Sequence, residues 1–149
     1  MPQTLAEKII AKAARVDSVT PGEIVTCHVD LAMMHDSAGP RIAGEKLDEL
    51  GVPVWDMNKL VVITDHYINK EADNFDDIQK HAQKWVADHE VIHFIKEEGI
   101  CHVVLPEAGH VKPGMFIVGG DSHSVTGGAF GTFMVGVGAT EMTGVLATG

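Results

Sequence analysis

Lys59-Leu60-Val61-Val62-Ile63-Thr64-Asp65-His66 is the stretch on which the fold turns. Its unbroken apolar run suits a strand covered on both faces, as in a parallel sheet, and it ends abruptly in two polar residues. Residues 115–118 (MFIV) repeat the pattern before GGDSH, and 100–105 (ICHVVL) read as a third strand closed by Pro106. The β-branched run 23–31 (EIVTCHVDL) predicts a fourth, followed by a polar loop at 35–40. Helical spacing lies between them. Thr4 and Glu7 form a capping box before Leu5, Ile9, Ile10 and Ala13. Ile42, Ala43, Leu47 and Leu50 share a face that Gly51 ends. Asn74 can cap a helix whose stripe is Phe75, Ile78, Ala82, Trp85 and Val86, and a further helix is expected over 89–98. The alternation predicts an α/β protein, three-layer α/β/α around a mostly parallel sheet, as one domain over residues 1–149.

The chain has 149 residues, 45% hydrophobic and 21% charged, which excludes general disorder. Eleven basic against 21 acidic residues give a net charge of −10, so no broad polyanion-binding face and no nucleic-acid partner is expected. No stretch reads as a membrane span or a secretory leader, and two cysteines exclude a disulfide scaffold, so a cytoplasmic location is expected. From Gly119 to Gly149 there is no Lys or Arg, and nine of the 16 glycines fall there; such a segment is expected to be buried against other backbone.

Polar clusters stand at predicted strand ends, where ligands of open α/β sheets bind. Asp65-His66 reads either as an acid/base pair or as a turn in which Asp65 caps a backbone N–H. Gly119-Gly120-Asp121-Ser122-His123 reads either as a carboxylate pocket after a sharp bend or as a helix cap. His102, early in its expected strand, falls away from that edge. Gly136-Val137-Gly138 is no dinucleotide fingerprint, because Glu141 holds the third glycine position and the preceding stretch reads as helical; close packing explains it better. His89 and His93 are spaced i, i+4 on an expected helix but lack a third ligand. Cys27 and Cys101, in expected apolar strands, read as buried small hydrophobes.

The ordered series TLAEKI, PGEIV, VDLAMMHDSAGP, ELGV, VVITDHYI, residues 99–142 and LATG resembles the amino-terminal part of the aconitase superfamily. Within it, the likeness is to large subunits of the isopropylmalate dehydratase and homoaconitase type. The resemblance implies the amino-terminal part of an iron–sulfur-cluster domain and a hydro-lyase acting on a hydroxy-dicarboxylate. 3-Isopropylmalate is the first choice of substrate, with homocitrate/homoaconitate and 2,3-dimethylmalate as related ones. It assigns Asp65 and His66 to the leaving oxygen, His102 to the neighbourhood of cluster and substrate, Asp121 and His123 to the active site, and Ser122 to the substrate carboxylate. His35 and Asp36 fall in a segment that lines the site.

The resemblance also implies a 4Fe-4S cluster in the intact enzyme. Its cysteines are expected downstream of Gly149, so this chain is expected to hold no metal and to be an inactive amino-terminal fragment. The catalytic base is expected from a small subunit or a swivelling domain. Two other readings stand beside this one: a non-catalytic carboxylate-binding or accessory module, and a mononuclear metal hydrolase using His66, His102, Asp121 and His123. Uncovered apolar surface predicts self-association through residues 115–118 or 130–137.

Overall fold

The computed structural model describes residues 2–68 and 75–149. Five strands, β1 (Leu31–His35), β2 (Leu60–Thr64), β3 (His93–Lys96), β4 (Phe116–Gly119) and β5 (Phe133–Gly136), form one sheet in the order β3-β2-β1-β4-β5, and every pair is parallel. Helices α1 (Leu5–Ala14), α2 (Glu45–Leu50), α3 (Phe75–Asp88), α4 (Cys101–Glu107) and α5 (Ala139–Thr148) connect and cover it. Leu47, Trp85, Val86, Met142 and Leu146, from α2, α3 and α5, pack with Ala32, Met34 and Val62 on one face. Cys101, Val104 and Leu105 of α4 pack with Met33, Val61 and Ile63 on the other, completing three layers.

The apolar run of β2 is buried at all five positions, as its composition requires. The Thr4 capping box has both of its reciprocal bonds, and Gly51 ends α2 at φ 66°. A π-helical turn, Gly39–Gly44, precedes α2. Ile78, Ala82, Trp85 and Val86 form the buried stripe of α3. The expected Asn74 cap, like the Phe75 side chain, lies outside the described residues.

Four expectations are corrected. The strand expected over 23–31 is displaced: β1 starts at Leu31 and ends at His35, inside the expected loop. Thr26, His28 and Asp30 interrupt the earlier run and Ile24 is 98% exposed, whereas Leu31 to His35 is buried throughout, as a central strand must be. The helix expected over 89–98 is β3, because Glu90 turns left-handed at φ 53° and ends α3. The strand expected over 100–105 is α4, with Pro106 inside it. The stretch before Gly136-Val137-Gly138 is β5, not helix, so that motif is a strand-to-helix turn; the Glu141 objection and the packing explanation remain.

That packing is severe at Gly136, where a Cβ would lie 2.3 Å from the Asp121 carbonyl oxygen. The rest of the glycine-rich segment is only partly covered, contrary to expectation: Val125 and Phe130 are exposed on the 3₁₀ stretch Ser122–Phe130. β4 is interior, paired on both edges, so it offers no free edge for self-association. The substitution Gly136→Ala is expected to cost about 1–3 kcal/mol of stability through overpacking. Urea unfolding checks this, and an unchanged midpoint contradicts it.

Candidate active site

Because all strands run the same way, their carboxyl ends share one edge of the sheet. The chain leaves β1 toward β2 on one side, while β4 lies on the other, so the strand order reverses between β1 and β4. A crevice opens at such a switch point. His35 and Asp36 leave β1 there, Asp65 and His66 leave β2, and Asp121 follows β4. His102 reaches the same edge because Cys101 and His102 begin α4, directly after β3; its apparent misplacement came from the mistaken strand.

Asp65 holds the neighbouring imidazole and caps a backbone N–H at the same time. Its Oδ1 lies 2.6 Å from His66 Nδ1, and its Oδ2 accepts the Cys101 N–H at 2.7 Å. The second bond satisfies an orphan donor of α4, whose own N-cap residue, Ile100, supplies no side-chain cap. Asp121 is equally committed. Its Oδ1 accepts from His102 Nε2 and from the His123 backbone N–H, each at 2.7 Å, and its Oδ2 lies 3.5 Å from His66 Nε2. Asp121 thus caps the turn that follows it and also faces two imidazoles. Ser124, buried beneath, donates to the Asp121 carbonyl at 2.6 Å. Gly119 leaves room for Ser124, since a Cβ there would meet its Oγ at 2.0 Å. The chain bends at Gly120 and Asp121, as expected, without a left-handed φ at Gly119 or Gly120.

His35 stacks on His66 with ring centroids 4.0 Å apart and an interplanar angle of 16°. Its Nε2 faces the Gly120 carbonyl at 2.8 Å and therefore donates; its Nδ1 is left to accept from the Ser37 hydroxyl at 3.0 Å. Burial, then the neighbouring His66, lowers the His35 pKa. His66 behaves oppositely. Burial disfavours its charged form, but the hydrogen bond and charge of Asp65, with Asp36 and Asp121 beyond, outweigh it and raise the pKa. The stacked pair is thus one neutral imidazole against one that holds its proton more tightly.

Among the expected site residues, Asp65, His66, His102 and Asp121 are brought together. His123 is attached through its backbone, but its side chain is 81% exposed, 3.3 Å from Asp121 Oδ1 through Nδ1. Ser122 is exposed, with its Oγ 3.3 Å from His123 Nδ1. His35 and Asp36 gain the specific contacts that sequence reasoning could not give them, and Gln79 joins the site unforeseen. The His89/His93 pairing dissolves: His89 bonds Asp48 at 2.7 Å, and His93 packs edge-on to His110. Donor atoms of His35, Asp36, Asp65 and His66, and of His102, Asp121 and His123, lie within 4.8 Å of one another in two groups. Hydrogen bonds already engage Asp36, Asp65, His102 and Asp121, and we assign none of these residues as a metal ligand. Nor do the cysteines fit an iron–sulfur cluster, which needs convergent thiolates. Cys101 is buried, its thiol pKa raised by that burial and by Asp65, while Cys27 lies elsewhere, beside the Ile10 carbonyl.

The aconitase family model (aconitate hydratase) matches residues 7–149. The chain belongs to the aconitase family. It is 44% identical over its whole length to the 3-isopropylmalate dehydratase large subunit 1 of Methanopyrus kandleri, spanning 36% of that relative. It is 43% identical, over 97% of its length, to a probable methanogen homoaconitase large subunit of Methanothermobacter thermautotrophicus, spanning 35% of it. The chloroplastic 3-isopropylmalate dehydratase large subunit of Arabidopsis thaliana is 40% identical over 98% of the chain. The chain thus spans about a third of the length of these relatives.

Burial opposes ionisation of Asp121, but the His123 N–H and His102 outweigh it and bring the carboxyl from 3.8 to about 2. A carboxyl depressed on folding stabilises the protein above its unfolded pKa and loses that contribution as pH falls through the folded one. Asp121→Asn should therefore be less stable than wild type near neutrality, with the gap closing between pH 4 and about pH 2. Urea titrations across that range check it; a gap independent of pH contradicts it.

Proposed function

We propose that this chain carries the proton-donating half of a hydro-lyase centre acting on a hydroxy-dicarboxylate, with 3-isopropylmalate as first choice. Homocitrate/homoaconitate and 2,3-dimethylmalate are chemically related alternatives. The observation that carries the proposal is His66 itself: Nδ1 anchored to Asp65 at 2.6 Å, Nε2 turned toward the crevice, and a side chain 36% exposed to an incoming group. Relatives named as 3-isopropylmalate dehydratase and homoaconitase large subunits support the substrate class.

In dehydration, the C–O bond breaks and the departing hydroxyl takes a proton to leave as water. His66 Nε2–H supplies that proton, while Asp65 holds the ring and stabilises its charged form. The resulting neutral imidazole takes a proton back from water when the double bond is rehydrated. His102 and the His123 N–H keep Asp121 ionised beside His66, and the exposed Ser122 hydroxyl and His123 ring stand ready for a substrate carboxylate. Proton removal from the adjacent carbon needs a base, which we assign to a small subunit or swivelling domain. The 4Fe-4S cluster implied for the intact enzyme must be held by cysteines outside this chain, so the isolated chain is inactive. A cytoplasmic site of action accords with the absence, among the described residues, of a helix long and apolar enough to cross a membrane. Self-association is assigned to the 130–137 neighbourhood, where β5 is the sheet edge and Phe130 is exposed. A carboxylate-binding module is the poorer reading, because binding alone has no need of an imidazole anchored to a carboxylate and holding its proton more tightly.

In a family enzyme assembled with this segment in its large subunit, His66→Gln is expected to lower kcat for 3-isopropylmalate dehydration about a hundredfold or more, with KM little changed. Product absorbance in the ultraviolet follows the reaction. Wild-type turnover by the variant, or a stoichiometric iron–sulfur chromophore on the isolated 149-residue chain after anaerobic reconstitution, contradicts the assignment.

A further inference from the structure

We propose that Asp36 is a positioning residue: a buried carboxylate that grips the backbone of His66 and Tyr67 and, locked by Gln79, holds the His66 imidazole between Asp65 and Asp121. It rests on the hydro-lyase reading only in giving that imidazole its task.

Asp36 is 0% exposed, and no lysine or arginine bonds it among the described residues. A buried carboxylate is costly unless donors surround it. Three do. Its Oδ1 accepts from His66 N at 3.1 Å, and its Oδ2 accepts from Tyr67 N and Gln79 Nε2, each at 3.0 Å. The two amides belong to the turn that presents His66, so Asp36 sets where that ring leaves the sheet. Gln79, from α3, also donates to the Tyr67 carbonyl at 2.8 Å, closing the clamp on both sides of the turn. A Gln79 with a purely packing role has no need of both bonds. Among the described residues its Oε1 is buried without a partner, so the amide works here through its donor end.

The clamp also places charge. Asp36 Oδ1 lies 3.9 Å from His66 Nδ1 and 4.0 Å from His35 Nδ1, under the stacked pair. Among the described residues, the titratable groups around His66 are His35 at the end of β1, Asp36 after it, Asp65 after β2 and Asp121 after β4, with the Cys101 thiol of α4 behind Asp65. Of the carboxylates, Asp36 alone fixes the backbone of His66 as well as facing its ring.

Two variants of the 149-residue chain test this by NMR. Asp36→Asn removes the charge and puts an amide N–H₂ in place of one of the two accepting oxygens, against one or two of the three donors. The His66 pKa should fall by about one pH unit, and the His66 and Tyr67 amides should exchange about tenfold faster. Gln79→Met keeps volume and the Asp36 charge and deletes an unsatisfied acceptor, so it should fold. It should speed Tyr67 exchange severalfold and leave the His66 pKa nearly in place. If Asp36→Asn does not fold, Gln79→Met decides. An unchanged His66 pKa in folded Asp36→Asn, or unchanged Tyr67 exchange in Gln79→Met, overturns the clamp. Should wild-type His66 titrate at or below an ordinary histidine, the donor reading of the site fails instead, and the exchange rates alone judge the clamp.

Discussion

One carboxylate, Asp65, ties the architecture to the chemistry. With one oxygen it caps α4 and with the other it holds His66. The cap explains why a β-branched segment becomes helix, and the helix start places His102 against Asp121. If Asp65 made only one of these bonds, either α4 would begin with an unsatisfied N–H or His66 would lose its anchor. The second carboxylate, Asp121, gathers His102, His123 and His66 from the opposite side of the β1/β4 reversal.

These two anchors sort the imidazoles by environment rather than by type. His35 is sealed between the Gly120 carbonyl and Ser37 and stays neutral. His66, a ring's thickness away, is wetter and has carboxylates about it, so it holds its proton more tightly than an ordinary histidine. A centre that must deliver one proton to a leaving oxygen needs such a separation, because two charged rings in van der Waals contact repel. Carboxylates at the strand tips supply the separation.

Much of this was legible in the residues, and the misses have a common cause. The run 60–64 and the strand ahead of GGDSH announced a doubly covered parallel sheet, because central strands carry their burial in their own composition. Asp65, His66 and Asp121 were legible for the same reason: they are the first polar residues after those runs. The helix α4 was not, since Ile100 and Cys101 carry no capping signal and the cap arrives from Asp65, 36 residues away. Strand β1 was missed because Leu-Ala-Met-Met-His lacks β-branched residues, and burial on both faces overrides propensity there. Gln79 could not be read at all, because its role depends on α3 lying over the β2 turn.

The central claim is that Asp65 physically joins α4 to the site. A triple-resonance spectrum tuned to couplings transmitted through hydrogen bonds tests it most directly, in protein carrying labelled aspartate carboxyls. The account predicts a cross-peak between the Cys101 amide nitrogen and the Asp65 side-chain carboxyl carbon. A Cys101 amide with no such coupling, exchanging freely with solvent, would contradict it.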